Sequence, residues 1–233
     1  MTISGGYFLT RAVERPPYVA ASLLPSRILS ISECICQFVP DSWAIEWMNV
    51  EAQARAAEAT ERGLSPAVQS EVISWTTQKL ADGDFGYPNV FFSARDARLF
   101  AGRFMAGAAD LRLLGIGLHP DSVEGFLSSE QPGPGEGASG IYDATSSGAE
   151  LERGGTDLGW EVLCYDHGGF HSWLCNGLEK DIARDLGIKP SSTGFLADPV
   201  QAVAAAEYCG REDVGGEPGF WAPWLVVEYP LTE

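Results

Sequence analysis

Histidine and cysteine side chains are concentrated between residues 164 and 175, where they could bind a metal or act as nucleophiles. His167, His171 and Cys175 follow one another at intervals of four residues, and Cys164 and Asp166 directly precede them. Side chains four residues apart lie on one face of an α-helix, and imidazole with thiolate suits zinc. However, a Gly-Gly pair separates the two histidines, and neither Cys-x-x-Cys nor His-Glu-x-x-His is present. We therefore expect no metal site in this segment.

A cysteine nucleophile activated by histidine is the enzymatic interpretation of the same residues. Cys175 directly precedes Asn176, which we predict to begin a helix, and a helix N-terminus lowers the pKa of a thiol. The apolar neighbours of Cys175 would instead raise that pKa by burial. The sequence alone leaves open whether the pKa of the Cys175 thiol is lowered or raised. The alternative catalytic set is Cys175, His171, His167 and Asp166.

The elements around these residues are well marked. Residues 160–165 are aromatic and apolar, as in a half-buried strand, and the glycines that follow favour a turn. Asn176 with Glu179 three residues later matches a capping box, and Gly187 provides a left-handed helix end. The helix carries one apolar stripe, formed by Leu178, Ile182 and Leu186. We expect this stripe to be buried and Glu179, with Lys180 and Asp185, to be more exposed.

The rest of the chain alternates between strand-like and helical patterns without an internal repeat. Strands are predicted at residues 6–13, 22–38, 89–92, 111–118 and 219–229, with a possible hairpin at 123–127. Helices are predicted at residues 49–62, 65–80, from 93 onward and at 198–209. This order favours an α+β fold, with a mixed, mainly antiparallel sheet and four to five helices packed on it. We expect a single domain over residues 1–233, with a mobile acidic Gly/Pro/Ser-rich loop at about 128–147.

The charge of the chain is negative and uneven. The formal net charge is −17 over 233 residues. Residues 1–120 contribute only −2, because twelve acidic residues face ten basic ones, whereas residues 121–166 contribute −9 through ten acidic residues and a single arginine. Such a field repels nucleic acid and anionic lipid and attracts basic partners. Solubility alone could also explain the excess.

Several function classes lack their sequence signatures. The chain contains no P-loop and no Gly-x-Ser-x-Gly motif, and a dinucleotide-like glycine spacing at 135–140 has no strand before it. No run of residues approaches the length of a membrane span, and residues 1–18 lack the apolar core of a secretion signal. Five cysteines, an odd number, indicate reduced thiols. We expect a cytoplasmic protein without a cofactor.

Residues 160–190, and especially the run from Gly169 to Glu179, resemble bacterial cytoplasmic proteins of the toxin-immunity kind. The resemblance implies a protein that binds and neutralises a cognate toxin domain without chemistry of its own. It supplies no binding residues, so the expected contacts rest on charge and exposure. We expect a basic protein partner to be met by the acidic residues Glu130, Glu136, Asp143, Glu150, Glu152 and Asp157.

Overall fold

One antiparallel sheet of eight strands connects the two halves of the chain. A computed structural model describes residues 2–32, 34–36, 38–39, 65–87, 89–106, 108–134, 138–166 and 169–232. The strands within these residues are β1 (Ile3–Arg11), β2 (Val13–Glu14), β3 (Arg27–Ile28), β4 (Phe38–Val39), β5 (Phe85–Gly86), β6 (Val90–Phe91), β7 (Leu111–Leu118), β8 (Thr156–Asp166), β9 (Gly169–Ser172) and β10 (Phe220–Tyr229). Their order in the sheet is β5-β6-β1-β7-β10-β8-β9, with β4 also paired to β1 and with β2 and β3 forming a separate ribbon. The mainly antiparallel sheet expected from the sequence is confirmed.

Helices cover both faces of this sheet. The described helices are α1 (Pro66–Asp82), α2 (Ala94–Phe104), a short 3₁₀ helix (Pro120–Ser122), α3 (Val123–Ser129), α4 (Gly140–Ser146), α5 (Glu179–Asp185) and α6 (Pro199–Cys209). Leu9 and Leu113 are paired across β1 and β7 and pack in one core with Phe100 of α2. The neighbouring pair Phe8 and Leu114 points to the opposite face and packs with α3 and α4. The α+β class is therefore confirmed, with six α-helices in the described residues rather than four to five.

The central strands match their sequence patterns because they are apolar on both sides. In β7 every residue except Arg112 is buried, as expected for a strand covered on both faces. The predicted strands at 111–118 and 219–229 are confirmed, as are the helices that begin after Ser93 and Asp198. In both helices the preceding side chain accepts a hydrogen bond from a backbone amide of the first turn. The helix predicted at 49–62 lies outside the described residues.

Two predicted strands and part of a predicted loop are different in the structure. Residues 123–127 belong to helix α3 rather than to a hairpin, since Phe126 faces the aromatic core while its polar neighbours face solvent. The described residues of the segment 22–38 contain strand β3 and the first residue of β4, with turns between them, and Ser30 and Ser32 are fully buried. Helices α3 and α4 also occupy both ends of the segment at 128–147. The irregular part is therefore shorter than expected.

Helix α5 is shorter than the capping-box pattern predicts. It begins at Glu179 with Leu178 as its N-cap residue, and Gly187 has the expected left-handed conformation with φ 69°. Leu178 and Ile182 are buried as predicted, but Leu186 is 43% exposed and Glu179 is 0% exposed. The prediction for these last two residues was wrong. Glu179 is buried because its Oε1 accepts a hydrogen bond at 2.9 Å from the backbone amide of Ala20, which lies far away in sequence.

Within the part of the chain that the structure describes, none of the helices combines the length and apolar character that crossing a membrane would require.

Candidate functional site

Three potential ligand side chains meet at the β9 edge of the sheet. Cys34, His171 and Cys175 place one sulfur or nitrogen atom each within 4.8 Å of the other two. The Cys34 Sγ lies 3.4 Å from the Nδ1 atom of His171. Cys34 is exposed, whereas Cys175 is partly buried. The cluster therefore opens to solvent on the Cys34 side.

The two ligands of the C-terminal half come from a strand and the turn that follows it. His171 lies in β9, where it pairs with Cys164 of β8. The chain then turns, because the Cys175 amide donates to the Ser172 carbonyl at 3.0 Å and the Leu178 amide donates to the Trp173 carbonyl at 3.0 Å. Strand and turn together bring Cys175 back beside His171.

Cys34 reaches the same place from a tight turn near the N-terminus. The amides of Ile35 and Cys36 both donate to the carbonyl oxygen of Ser32, at 3.0 and 2.9 Å, and this closes the turn around Cys34. The Ser32 Oγ lies 3.7 Å from the Cys175 Sγ. The turn is thus in direct contact with the β9 segment.

A buried carboxyl group connects the two segments. Glu161 of β8 is 1% exposed, and its Oε1 lies 2.5 Å from the Ser30 Oγ. Its Oε2 accepts a hydrogen bond at 2.8 Å from the Ile31 amide, and Ser172 is a further hydrogen-bond partner. Ser30 and Ile31 precede Cys34, and Ser172 lies between His171 and Cys175. Glu161 therefore fixes the distance between the two chain segments that carry the cluster.

Burial dominates the acid–base chemistry around this cluster. It raises the pKa of Glu161 to about 7, although hydrogen bonds from Ser30, Ile31 and Ser172 act in the opposite direction. Burial likewise raises the pKa of the Cys175 thiol to about 11, while the hydrogen bond with Ser32 lowers it. Cys175 is therefore a neutral thiol at pH 7 unless a cation displaces its proton.

The arrangement differs from the one that a catalytic Cys175 would need. Cys175 does not lie at a helix N-terminus, because α5 begins four residues later at Glu179. The imidazole of His171 contacts Cys34 rather than forming a hydrogen bond with Cys175. Asp166 ends β8 opposite Gly169, and the structure does not bring it into the cluster. His167 lies outside the described residues.

Cys164 is close in sequence to His171 and Cys175, but it is buried in the core and does not belong to the cluster. Its Sγ donates weak hydrogen bonds to the carbonyl oxygens of Tyr165 and Glu217, both at 3.8 Å. Burial raises its pKa to about 12. Cys164 is thus an inert core thiol.

The acidic residues expected to meet a partner lie in separate places. Burial, together with the charges of Glu130 and Asp143, raises the pKa of Tyr165 to about 12, which locates both acids near the end of β8. Asp157 lies near the start of β8, nine residues before Asp166, at a distance of roughly 30 Å from the strand's end at 3.3 Å per residue. Glu150 is bridged to Ile3 at the start of β1.

Glu152 and Glu136 complete the set of acids expected to contact a partner. Glu152 is exposed, but its Oε1 accepts a hydrogen bond at 2.9 Å from the Ala94 amide at the start of α2. Its backbone is held by two tyrosines, since its amide donates to the Tyr7 hydroxyl and its carbonyl accepts from the Tyr229 hydroxyl. Glu152 is therefore part of the fold. Glu136 lies outside the described residues.

An open groove lies at the end of the sheet where β7 ends and β10 begins. Asp121 and Glu207 line it together with the aromatic residues Phe220 and Trp221. Both acids are exposed, and the side chain of Asp121 is 89% accessible. Phe220 pairs with Tyr165, so the groove is at the same end of the molecule as Glu130 and Asp143.

Sequence reasoning missed Cys34, Ser32 and Glu161 as members of the site. Cys34 is 137 residues from His171, and only the folded sheet brings the two together. The one available signal was Glu161, a charged residue inside the apolar run of β8. A carboxylate is rarely buried without partners, so its position indicated polar groups packed against that strand.

The fold and the site define an α+β protein with a thiol–imidazole cluster at a sheet edge and a strongly acidic surface. No protein-family model, curated protein or solved structure matches the chain.

Proposed function

We propose that this protein is an immunity-type inhibitor that binds a basic toxin domain and neutralises it without catalysis. The observation that carries the proposal is the groove at the β7–β10 end, which exposed Asp121 and Glu207 line together with Phe220 and Trp221. Binding hot spots are built from aromatic side chains and charged groups that become desolvated at the centre of an interface. An arginine or lysine of the partner could lie on the Trp221 ring between the two carboxylates.

The charge around the groove supports the same assignment. Residues 121–233 carry twenty acidic and five basic residues, so they contribute −15 of the total charge of −17. Glu130 and Asp143 lie at the groove end and extend its negative field. A toxin that acts on nucleic acid presents a basic substrate channel, which such a surface would cover by charge complementarity. Asp157 lies at the other end of β8 and would act from outside the contact.

The test is inhibition of a basic toxin domain, sought first among the products of the genes that adjoin the one for this protein. We expect the purified protein to abolish toxin activity at one equivalent and to form a complex at physiological ionic strength. An unrelated basic protein of similar charge is the matched control, and it should not bind under the same salt conditions. Full toxin activity in the presence of excess protein would contradict the proposal.

Two double variants with the same change in net charge test whether Asp121 and Glu207 contact the partner. Asp121→Lys with Glu207→Lys changes the groove, whereas Glu14→Lys with Asp157→Lys makes the same change in net charge at the opposite end of the sheet. All four residues are exposed. Loss of affinity should be much larger for the groove pair, because only these carboxylates would become desolvated in the complex. Equal loss in both variants would show that the groove is not the contact.

A further inference from the structure

We propose that Cys34, His171 and Cys175 bind a single zinc-class divalent ion, with the fourth coordination position open to solvent. The three ligand atoms already lie within 4.8 Å of one another. Two thiolates and one imidazole form a ligand set that zinc accepts, and three protein ligands with one open position are common in exchangeable and catalytic sites. The inference does not depend on the proposed toxin partner.

The distances within the cluster are close to those that a tetrahedral zinc site requires. Zn–S bonds of about 2.3 Å and Zn–N bonds of about 2.0–2.1 Å place ligand atoms roughly 3.5–3.8 Å apart around a tetrahedral ion. The Cys34 Sγ and the His171 Nδ1 are 3.4 Å apart. The Cys175 sulfur lies within 4.8 Å of the Cys34 sulfur and of a ring nitrogen of His171, so a shift of about 1 Å would bring the three ligand atoms to the spacing of a tetrahedral site.

Groups next to Cys175 are suited to stabilise the thiolate that a metal would need. The Ser32 hydroxyl lies 3.7 Å and the Asn176 Nδ2 lies 3.6 Å from the sulfur. Both can donate hydrogen bonds to a metal-bound thiolate, and donors of this kind orient ligands and tune metal affinity. The thiol of Cys175 now contacts the Ser172 carbonyl at 2.9 Å, and this contact would be exchanged for the bond to the metal.

Binding involves only proton transfer. The ion forms bonds to the two sulfurs and to the Nδ1 lone pair of neutral His171, and each thiol releases its proton to the buffer. No electron is transferred, so no oxidant or reductant is needed. Because each thiol must lose its proton to bind the ion, the apparent affinity should rise with increasing pH.

Buried Glu161 positions the site without touching the ion. It holds Ser30 and Ile31 on one side and Ser172 on the other. The segments that carry Cys34 and Cys175 are thereby fixed before any metal arrives. A preorganised site binds more tightly than one that must first be assembled.

Cobalt is the probe for this site, because tetrahedral thiolate ligation of Co²⁺ gives intense visible bands and a sulfur-to-metal charge-transfer band. The full-length protein is reduced, freed of metal with a chelator and titrated with Co²⁺, and Zn²⁺ is then added in competition. We expect one equivalent of Co²⁺ to bind with these bands and one equivalent of Zn²⁺ to displace it. Bound Zn²⁺ should also protect Cys34, the exposed thiol of the cluster, from alkylation.

Ligand variants and a matched cysteine control locate the ion. Cys34→Ser and Cys175→Ser should each remove the charge-transfer intensity of one thiolate and weaken binding by at least about tenfold. Cys209→Ser changes a buried cysteine of α6 outside the cluster and should leave the titration unchanged. The side chain of Cys34 is exposed, so Cys34→Ser keeps the test decisive even if another variant fails to fold.

Three results would overturn the proposal. The absence of thiolate bands at saturating Co²⁺ is one of them. Weak octahedral bands that persist in Cys34→Ser would assign the ion to surface carboxylates, and an unchanged titration in Cys34→Ser and Cys175→Ser would exclude the cluster. Because none of these readouts involves a toxin, failure of the metal site and failure of the proposed function are distinguishable.

Discussion

Glu161 shows how a single buried carboxyl group can connect stability with the arrangement of a site. Its two oxygens meet Ser30 and the Ile31 amide in a fully buried environment. A carboxylate removed from water is costly unless hydrogen bonds compensate for its charge. Here the compensation is partial, since burial still raises the pKa of Glu161 to about 7. The group therefore changes its protonation state near neutral pH.

The pH dependence that follows has a definite sign. Between pH 4.5, the ordinary value for glutamate, and pH 7, the folded state holds a proton on Glu161 that the unfolded state has lost. The contribution of Glu161 to stability should then fall as the pH rises through this window, by about 3 kcal/mol in total, and stay level above it. Glu161→Gln keeps one donor and one acceptor but cannot titrate. We expect its unfolding free energy to lack this decline.

The measurement is urea unfolding of both proteins between pH 4 and pH 8 in the presence of a chelator. The difference between the two unfolding free energies isolates the contribution of Glu161, because all other titrating groups are shared. Parallel curves over the whole range would show that Glu161 has the same pKa in the folded and unfolded states, which would contradict the prediction.

At the scale of single elements, helix α5 carries two apolar residues that occupy equivalent positions in the sequence pattern but differ in burial. Ile182 is fully buried in the core formed with α6, whereas Leu186, one turn later, is 43% exposed. Ile182→Ala should therefore lower the unfolding free energy by about 2–5 kcal/mol. Leu186→Ala is the matched control on the same helix and should cost less than about 1 kcal/mol. Chemical denaturation measures both, and similar costs would contradict the burial pattern.

The N-terminus of α2 depends on a side chain from a distant segment. The Ala94 amide is one of the free donors of the first helical turn, and Glu152 accepts its hydrogen bond at 2.9 Å. Glu152→Ala should cost about 0.5–2 kcal/mol, in the range of lost helix caps. Glu152→Gln keeps an acceptor oxygen and should recover much of this loss. If both variants unfold like the unmodified protein, the contact contributes nothing to stability.

Sequence patterns predicted most strands and helices correctly, but they did not predict the contacts between segments that are distant in sequence. Strand β7 and helix α6 follow from apolar runs and from the Asp198 cap, which need only neighbouring residues. Glu179 looked exposed because its partner, the Ala20 amide, is 159 residues away. The contact between Cys34 and His171 could not be predicted for the same reason, since 137 residues separate the two in sequence. Contacts that depend on sheet order cannot be obtained from spacing along one segment.

At the scale of the whole molecule, the negative charge is divided between two ends of the sheet. Asp121, Glu130, Asp143 and Glu207 lie at the groove end, and Asp157 lies at the other. Exposed charges separated by about 30 Å are well beyond the Debye length of roughly 8 Å at physiological ionic strength. A partner at one end therefore experiences mainly the charges of that end. The ten acids of residues 121–166 do not act as a single surface.

This division predicts how ionic strength should affect association with a basic toxin domain. Steered encounters reach about 10⁸–10⁹ M⁻¹s⁻¹ at low salt, compared with about 10⁵–10⁶ M⁻¹s⁻¹ without steering. Asp121→Lys with Glu207→Lys should slow association and flatten its salt dependence, because both changes lie at the end of the sheet that is proposed to contact the partner. Stopped-flow association at two salt concentrations measures both effects.

The opposite-end pair, Glu14→Lys with Asp157→Lys, distinguishes a local field from total charge. It raises the net charge by the same four units, yet it should alter the salt slope only slightly at physiological ionic strength, where screening removes distant charges. At low salt, where the Debye length approaches 30 Å, the two variants should become more alike. Identical salt slopes for both pairs at physiological ionic strength would mean that net charge, and not the groove end, steers the encounter.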